Sequence, residues 1–223
     1  MHSTWTNNPN PEPPVMGSGF HNVMVDIETL GTGKDAAVIT IGACAFSLDA
    51  PVEDDAFIGE TFQCNIHPKH CEAAGMSIDM NTVLWWMTQP DEARQALASK
   101  NALSVTEALE GFTEFVKRCR ATNRAGRLNF WANDPDFDGV ILESAYRAVN
   151  MTQPWNYYET RSLRTIKMLG TRFLGEKEKW DLTREGTHHN AMDDAIHQAR
   201  VVRYVLDKIG PYGERTQLRS ECA

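Results

Sequence analysis

The chain has 223 residues, a formal net charge of −8, and 42% hydrophobic and 23% charged residues. This length and composition fit one folded domain, and no apolar run approaches the roughly 20 residues that span a bilayer. The acidic balance argues against a broad basic surface for nucleic acid, because phosphate contacts need clustered Lys and Arg. The five cysteines form no C-x-x-C pair, so we expect reduced thiols in a cytoplasmic protein, without a zinc cluster or a membrane association.

The two ends of the chain differ in composition from its middle. Residues 1–19 contain four prolines and no periodic pattern, which predicts a flexible leader. Residues 211–223 follow Pro211 and are expected to form a loose C-terminal tail. One domain is therefore predicted from residue 20 to residue 210.

Three strands are predicted first. A β-rich run from His21 to Glu28 is ended by glycines. Apolar residues then cover Ala37 to Phe46, and a third strand is expected near Glu60 to Ile66. Short connections between them predict a three-strand meander.

Helical patterns follow the meander. They cover Asp79 to about Met87 and Asp91 to Ala98. A longer helix is predicted from Ser104 to about Arg120. Its start is marked by Ser104 as N-cap and Glu107 three positions later, the pattern of a capping box.

Strands and helices alternate in the second half. A buried strand is expected at Leu128 to Trp131, a helix at Phe137 to Val149, and a last strand at Trp155 to Glu159. Two further helices are predicted at Ser162 to Leu169 and at Ala191 to Ile209, the latter ended by glycine and proline. The whole pattern predicts an α/β domain with a mixed central sheet flanked by helices.

Two carboxylates end the first strand. Asp26 and Glu28 are two positions apart, so their side chains point to the same side of the sheet. The two charges repel each other unless a cation lies between them. The alternative is a pair of solvated acids at a strand end.

A second acidic segment lies where the fourth predicted strand enters a helix. Asp134, Asp136 and Asp138 all occur there. Capping of the helix is the common use of aspartate at such a junction, and Asp134 or Asp136 suits it. Asp138 falls inside the first helical turn and is the candidate for chemistry.

The third segment opens the last helix. Asp194 directly precedes the apolar stripe of this helix and can face the sheet, whereas Asp193 is rotated by about 100° toward solvent. The doublet His188 and His189 lies just before them. From the residues alone, this doublet is either a set of metal ligands or ordinary surface.

Together the three segments resemble a known family. D-x-E on the first strand, F-D at Phe137 and Asp138, and H-x-A-x-x-D from His189 to Asp194 resemble the motifs of the DnaQ-like DEDDh exonucleases over residues 21–209. The runs DIETLG, TVLWW and PDEAR are similar to the phage exonuclease A group and its bacterial exodeoxyribonuclease VIII-like and exoribonuclease relatives. The resemblance implies a ribonuclease H-like fold.

The resemblance also implies a metal site. Four carboxylates would hold two divalent cations, Mg²⁺ or Mn²⁺, for which hard oxygen ligands are suited: Asp26, Glu28, Asp138 and Asp194. His189 would act as general base, because an imidazole is well matched to accept a proton near neutral pH. His188 competes for this role. The segment before Phe137 lacks the His-Asn pair of better-known relatives, so substrate contacts there are open.

Candidate substrate contacts follow the first motif. By resemblance, Thr29 and Leu30 would lie beside the terminal nucleotide. Trp85 is a candidate for stacking on an unpaired base. Trp85 and Trp86 are adjacent on one helix and point about 100° apart, so at least one of them is expected in the core.

The predicted function is hydrolysis of phosphodiester bonds from a free 3′ end of single-stranded nucleic acid, with release of nucleoside monophosphates. No residue of the sequence indicates recognition of a 2′-OH, which would distinguish RNA from DNA. The phage resemblance favours DNA slightly over RNA. Relatives allow a homodimer. The alternatives are an exoribonuclease, a small-nucleotide hydrolase, and a non-catalytic nucleic-acid-binding module on the same fold.

Overall fold

A five-stranded mixed sheet forms the centre of the computed structural model, which describes residues 19–50, 55–94, 97, 99–176, 182–186 and 189–210. The strands are β1 (Asn22–Thr29), β2 (Val38–Phe46), β3 (Ile58–Asn65), β4 (Asn129–Ala132) and β5 (Thr160–Ser162). Their order across the sheet is β3-β2-β1-β4-β5. β1 is antiparallel to β2 and parallel to β4, and β4 is parallel to β5. The predicted mixed sheet with a leading meander is confirmed.

Helices flank the sheet. They are α1 (Pro68–Ala73), α2 (Met80–Met87), α3 (Asp91–Arg94), α4 (Val105–Ala121), α5 (Val140–Ala148), α6 (Leu163–Leu174) and α7 (Ala191–Ile209). The capping box at the start of α4 is present as predicted. The predicted leader, apart from Gly19, and the predicted tail lie outside the described residues.

Some boundaries differ from prediction. α1 was not predicted; Pro68 begins it, and the Nδ1 atom of His67 accepts a hydrogen bond from the backbone N–H of Lys69 at 3.2 Å. α6 runs five residues beyond its predicted end at Leu169 and stops at Gly175, whose φ of +95° suits glycine. The helix predicted to reach Ala98 is described only from Asp91 to Arg94.

The strand predicted at Trp155 to Glu159 is wrong. Residues Tyr157–Glu159 form one 3₁₀ turn, and β5 begins directly after it. Glu159 closes the turn by accepting a hydrogen bond from the backbone N–H of Asn156 at 2.8 Å. The same carboxylate pairs with Arg120 of α4, a contact from distant sequence that local pattern does not reveal.

β1 separates two apolar layers. Val23, Val25 and Ile27 pack in the layer that contains the buried residues of α4 and α5, whereas Met24 packs in the layer that contains those of α6 and α7. Because side chains alternate along a strand, Asp26 and Glu28 continue the face of Met24. The two carboxylates therefore point toward the layer of α7.

α7 begins in very close contact with β2. A Cβ atom on Gly42 would lie 2.1 Å from the carbonyl carbon of Ala191 and 2.2 Å from the backbone nitrogen of Met192. Gly42 is the cross-strand partner of Asp26. The missing side chain thus lets the first turn of α7 reach the strand beside Asp26.

No helix in the described ranges is both long enough and apolar enough to cross a lipid bilayer.

The contact at Gly42 predicts a strong effect of a single methyl group. We expect Gly42→Ala to lower the free energy of unfolding by about 1–3 kcal/mol, because the backbone of α7 has to move. Gly139→Ala is the matched control, since a Cβ there would meet nothing within 4 Å. Urea denaturation of both variants measures the difference, and equal stability of the two would contradict the proposed packing constraint.

Candidate active site

Three of the four predicted carboxylates converge at the end of β1. One oxygen each of Asp26, Glu28 and Asp194 lies within 4.8 Å of the other two. Asp26 and Glu28 come from β1, and Asp194 comes from the first turn of α7, where it is 8% exposed. The structure thus brings together residues that are more than 160 positions apart in sequence.

Asp138 reaches the same place from the other side of β1. It lies in a π-helical turn, Pro135–Gly139, that follows β4, and it is 4% exposed. Val25 of β1 pairs with Ala132 at the end of β4, so the parallel strands finish at one edge of the sheet. Asp138 accepts a hydrogen bond from the backbone N–H of Asp134 at 3.3 Å.

The competing acids of this segment have other positions. Asp134 is the N-cap of the π-helical turn, accepting from the backbone N–H of Asp136 at 3.3 Å, and it pairs with Arg164 at 2.5 Å. Asp136 is exposed. The capping role considered for Asp134 is confirmed, and Asp138 is the buried acid.

A cavity of about 300 Å³ joins these groups. Its lining combines acidic, polar, aromatic and basic side chains from β1, the segment after β4, α6 and α7: Asp26, Ile27, Glu28, Asn133, Asp134, Phe137, Asp138, Arg164, His189 and Asp194. The predicted base and all four predicted carboxylates therefore share one cavity.

The carboxylates are under electrostatic strain. Burial, and next the neighbouring charge of Asp138, raises the pKa of Glu28 to about 8. Burial likewise raises the pKa of Asp138 to about 7, and that of Asp26 well above its usual range. Removal from water and mutual repulsion both disfavour the charged forms. An all-oxygen donor set of this kind fits a hard divalent cation such as Mg²⁺ or Mn²⁺, which would relieve both effects.

Two residues that the sequence reading missed contact this cluster. Gln198 donates from Nε2 to the Oδ1 atom of Asp26 at 2.6 Å, and it lies one helical turn after Asp194 on α7. That i, i+4 spacing is a signal that could have identified it. Arg184 pairs with Asp194 from the loop before α7. Its position in a polar loop offers no comparable signal.

His189 adopts an unusual backbone conformation at the entrance to α7. Its φ of +63° is left-handed, which few residues other than glycine adopt and which is a form of strain that clusters at functional sites. The next residue, Asn190, caps α7 by accepting from the backbone N–H groups of Met192 and Asp193 at 3.1 and 3.2 Å. Gln63 of β3 also donates to this cap, at 3.4 Å. These contacts fix the start of α7 and therefore the position of His189 directly before it.

The structure describes His189 of the histidine doublet. His189 lines the cavity, whereas His188 lies outside the described residues. Asp193, predicted to point away, is not among the residues that line the cavity. It faces Gly186 instead, where a Cβ would come within 2.7 Å of its carboxylate.

The two tryptophans divide as the helical geometry requires. Trp86 is 1% exposed, and its Nε1 atom donates to the carbonyl oxygen of Thr29 at 2.9 Å. Trp85 is 44% exposed, and its ring centroid lies 5.1 Å from that of His189 in an edge-to-face arrangement. Thr29 is buried, and the side chain of Leu30 packs within the core, so it exposes little surface.

Comparisons with known proteins identify relatives of this chain. A model of the 3′-5′ exoribonuclease Rv2179c-like domain matches residues 21–206. The exodeoxyribonuclease of Enterobacteria phage T4 is 23% identical over 158 residues, which are 70% of this chain and 67% of the phage protein. The family match covers the whole region in which the site is built.

Two solved structures share the fold. Cell-death related nuclease 4 (CRN-4) superposes with a TM-score of 0.62 at 15% identity over 86% of this chain, which spans 65% of that protein. The nuclease domain of 3′hExo, a DEDDh family member crystallised with rAMP, gives a TM-score of 0.58 at 12% identity, covering 87% of this chain and 96% of that domain. These matches, with the mixed sheet, confirm the ribonuclease H-like fold and the resemblance to DnaQ-like DEDDh exonucleases. The chain belongs to the 3′-5′ exoribonuclease Rv2179c-like domain family.

Proposed function

We propose that this protein removes nucleotides one at a time from a free 3′ end of single-stranded nucleic acid and releases nucleoside 5′-monophosphates. The observation that carries the proposal is the convergence of four carboxylates and one histidine in a single cavity. Their order along the chain is that of the DEDDh motifs. The family match adds that relatives with this domain are described as 3′-5′ exoribonucleases.

The metal ligands in this proposal are Asp26, Glu28, Asp138 and Asp194, holding two ions of Mg²⁺ or Mn²⁺. Bound there, such cations would polarise the scissile phosphate and acidify the attacking water. The raised pKa values of Asp26, Glu28 and Asp138 support this assignment, because groups held so close without a cation are unfavourable in their charged form. Gln198 orients Asp26 through its hydrogen bond.

His189 is the general base in this proposal. Its imidazole accepts a proton from the attacking water, whose oxygen forms a bond to the terminal phosphorus. The bond between phosphorus and the 3′ oxygen breaks, and this oxygen takes up a proton from solvent. The shortened strand then carries a 3′-OH, and the terminal nucleotide leaves with a 5′-phosphate. The edge-to-face contact with Trp85 holds the imidazole ring at the cavity wall.

Trp85 is proposed to bind substrate as well. Its exposed ring surface lies beside His189, where an unpaired base next to the scissile bond can stack on it. We keep Thr29, the last residue of β1, and Leu30, which follows it, as proposed neighbours of the terminal nucleotide; both are buried and neither lines the described cavity. Stacking of this kind needs unpaired bases, which supports a single-stranded end as the substrate.

RNA is the polymer that we favour. The family whose model matches 21–206 is described by an exoribonuclease activity, and this match is longer than the one to the phage exodeoxyribonuclease. The sequence motifs alone favoured DNA slightly, and DNA stays the second candidate. The same family match supports a domain from 20 to 210, in a protein that we propose to be cytoplasmic and able to form a homodimer.

The nuclease assay tests the proposal directly. We expect 5′-labelled single-stranded RNA to be shortened stepwise from its 3′ end in Mg²⁺ or Mn²⁺, more slowly for DNA, and not at all with chelator. Asp26→Asn should lower the rate more than about 100-fold, the upper end for residues that only support a ligand. Asp136→Asn, at an exposed acid nearby, should retain full activity.

Two outcomes of this assay would overturn the proposal. Binding of RNA without cleavage in either metal would indicate a non-catalytic module. Cleavage of dinucleotides with no action on longer strands would indicate a small-nucleotide hydrolase.

The role of His189 can be separated from metal binding. We expect His189→Asn to lower kcat by about 10²- to 10⁴-fold, the usual contribution of a general base. Asparagine is chosen because it tolerates the left-handed backbone at this position. Mn²⁺ affinity, measured by titration calorimetry, should stay close to that of the wild type. If His188→Asn lost the rate and His189→Asn kept it, the base would be His188.

The raised pKa of Glu28 predicts a pH dependence of stability in chelator. The folded protein binds this proton more tightly than the unfolded chain, so stability is highest below about pH 4.5 and falls as the pH rises toward about 8. Glu28→Gln should flatten the loss between pH 5 and 8 by roughly 1–2 kcal/mol. Denaturant unfolding at several pH values measures it. Glu72→Gln, at an exposed glutamate of α1, is the control, and an unchanged slope in Glu28→Gln would refute the assignment.

A further inference from the structure

Arg184 places a positive charge inside the carboxylate cluster. Its guanidinium pairs with Asp194, and the side chain is 30% exposed. The charge also reaches the β1 carboxylates, because it lowers the pKa of both Asp26 and Glu28 against the larger effect of burial. One arginine thus acts electrostatically on three of the four proposed metal ligands.

The neighbours of Arg184 hold it at this place. Glu185 pairs with Arg200 of α7 at 2.9 Å, and the Nε atom of Arg200 also donates to Asp55 at 3.1 Å. Gly186 has a φ of +88° and lies directly against Asp193, so close that a side chain would not fit. Glu185 and Gly186 therefore anchor segment 182–186 to α7.

A guanidinium and a divalent cation are incompatible on the same carboxylate oxygen. Both need the lone pairs of Asp194, and their positive charges repel each other at short range. Without any cation, however, the clustered carboxylates would be uncompensated and partly removed from water, which is unfavourable. The arginine meets that need as long as no metal is present.

We propose that Arg184 is the internal counter-ion of the metal-free site and that a divalent cation displaces its guanidinium from Asp194 on binding. Arg184 therefore lowers the affinity of the site for metal and couples metal binding to a rearrangement of segment 182–186. The inference rests on the proposed function only in taking the carboxylates as metal ligands. Arg184 acts through Asp194 and is a positioning residue.

Titration of the full-length protein with MnCl₂ in a calorimeter tests this inference. The titration is run at about pH 8.5, above the pKa of about 8 of Glu28, to reduce competition between protons and the metal. We expect Arg184→Gln to lower the Kd for Mn²⁺ by about tenfold, which lies within the usual range of coupling between two binding events. Arg184→Lys, which keeps the charge, should bind close to the wild type, and Thr183→Ala, at an exposed neighbour, should be unchanged.

A further variant keeps the test valid if Arg184→Gln folds poorly. Glu185→Gln releases the segment from Arg200 without touching the cluster, and it should tighten Mn²⁺ binding by a smaller factor in the same direction. Equal or weaker binding in Arg184→Gln, with wild-type binding intact, would show that the arginine only supports the fold. Absence of Mn²⁺ binding in the wild type would instead overturn the proposed metal site, and this inference with it.

Discussion

The close contact between Gly42 of β2 and the first residues of α7 is the constraint on which the rest of the site depends. Gly42 lies opposite Asp26, and its lack of a side chain lets the backbone of Ala191 and Met192 approach the sheet. That approach brings Asp194 within 4.8 Å of the β1 carboxylates. It also sets the position of His189, which lies just before the start of α7 and has a left-handed backbone conformation.

The convergence of buried carboxylates is electrostatically unfavourable, and surrounding residues reduce this unfavourable energy. Burial raises the pKa of Asp26, Glu28 and Asp138, and the charge of Asp138 raises that of Asp26 and Glu28 further. Gln198 and Arg184 lower the pKa of Asp26. A site of this kind favours the binding of a positively charged group. Divalent cations satisfy that preference during catalysis in our proposal, and Arg184 satisfies it in their absence. The proposed displacement of Arg184 would link metal binding to segment 182–186.

The aromatic pair on α2 connects the site to its surroundings. Trp86 is buried and ties α2 to the carbonyl oxygen of Thr29, at the end of the strand that carries both acids. Trp85 turns outward and contacts the ring of His189. One helix therefore supports the strand end with one ring and offers the other to the proposed base and substrate. An overall charge of −8 is compatible with such a site, because stacking on bases does not require a long basic surface.

The sequence by itself determined the acids and the fold class. Strand alternation put Asp26 and Glu28 on one face, and the place of Asp194 before an apolar stripe directed it toward the sheet, because both follow from local periodicity. Local pattern failed at Tyr157–Glu159, a segment of aromatic residues that resembles a strand. There Glu159 closes a turn through the backbone N–H of Asn156 and pairs with the distant Arg120. The tertiary structure showed that the buried tryptophan of the pair is Trp86. It alone brought Arg184 to Asp194 and Gln198 to Asp26. The i, i+4 spacing of Asp194 and Gln198 indicates a shared helix face, but the partner of Gln198 on β1 is set by the packing of α7 on the sheet. The contact of Arg184 with Asp194 is set by the path of the loop before α7, which has no periodic pattern.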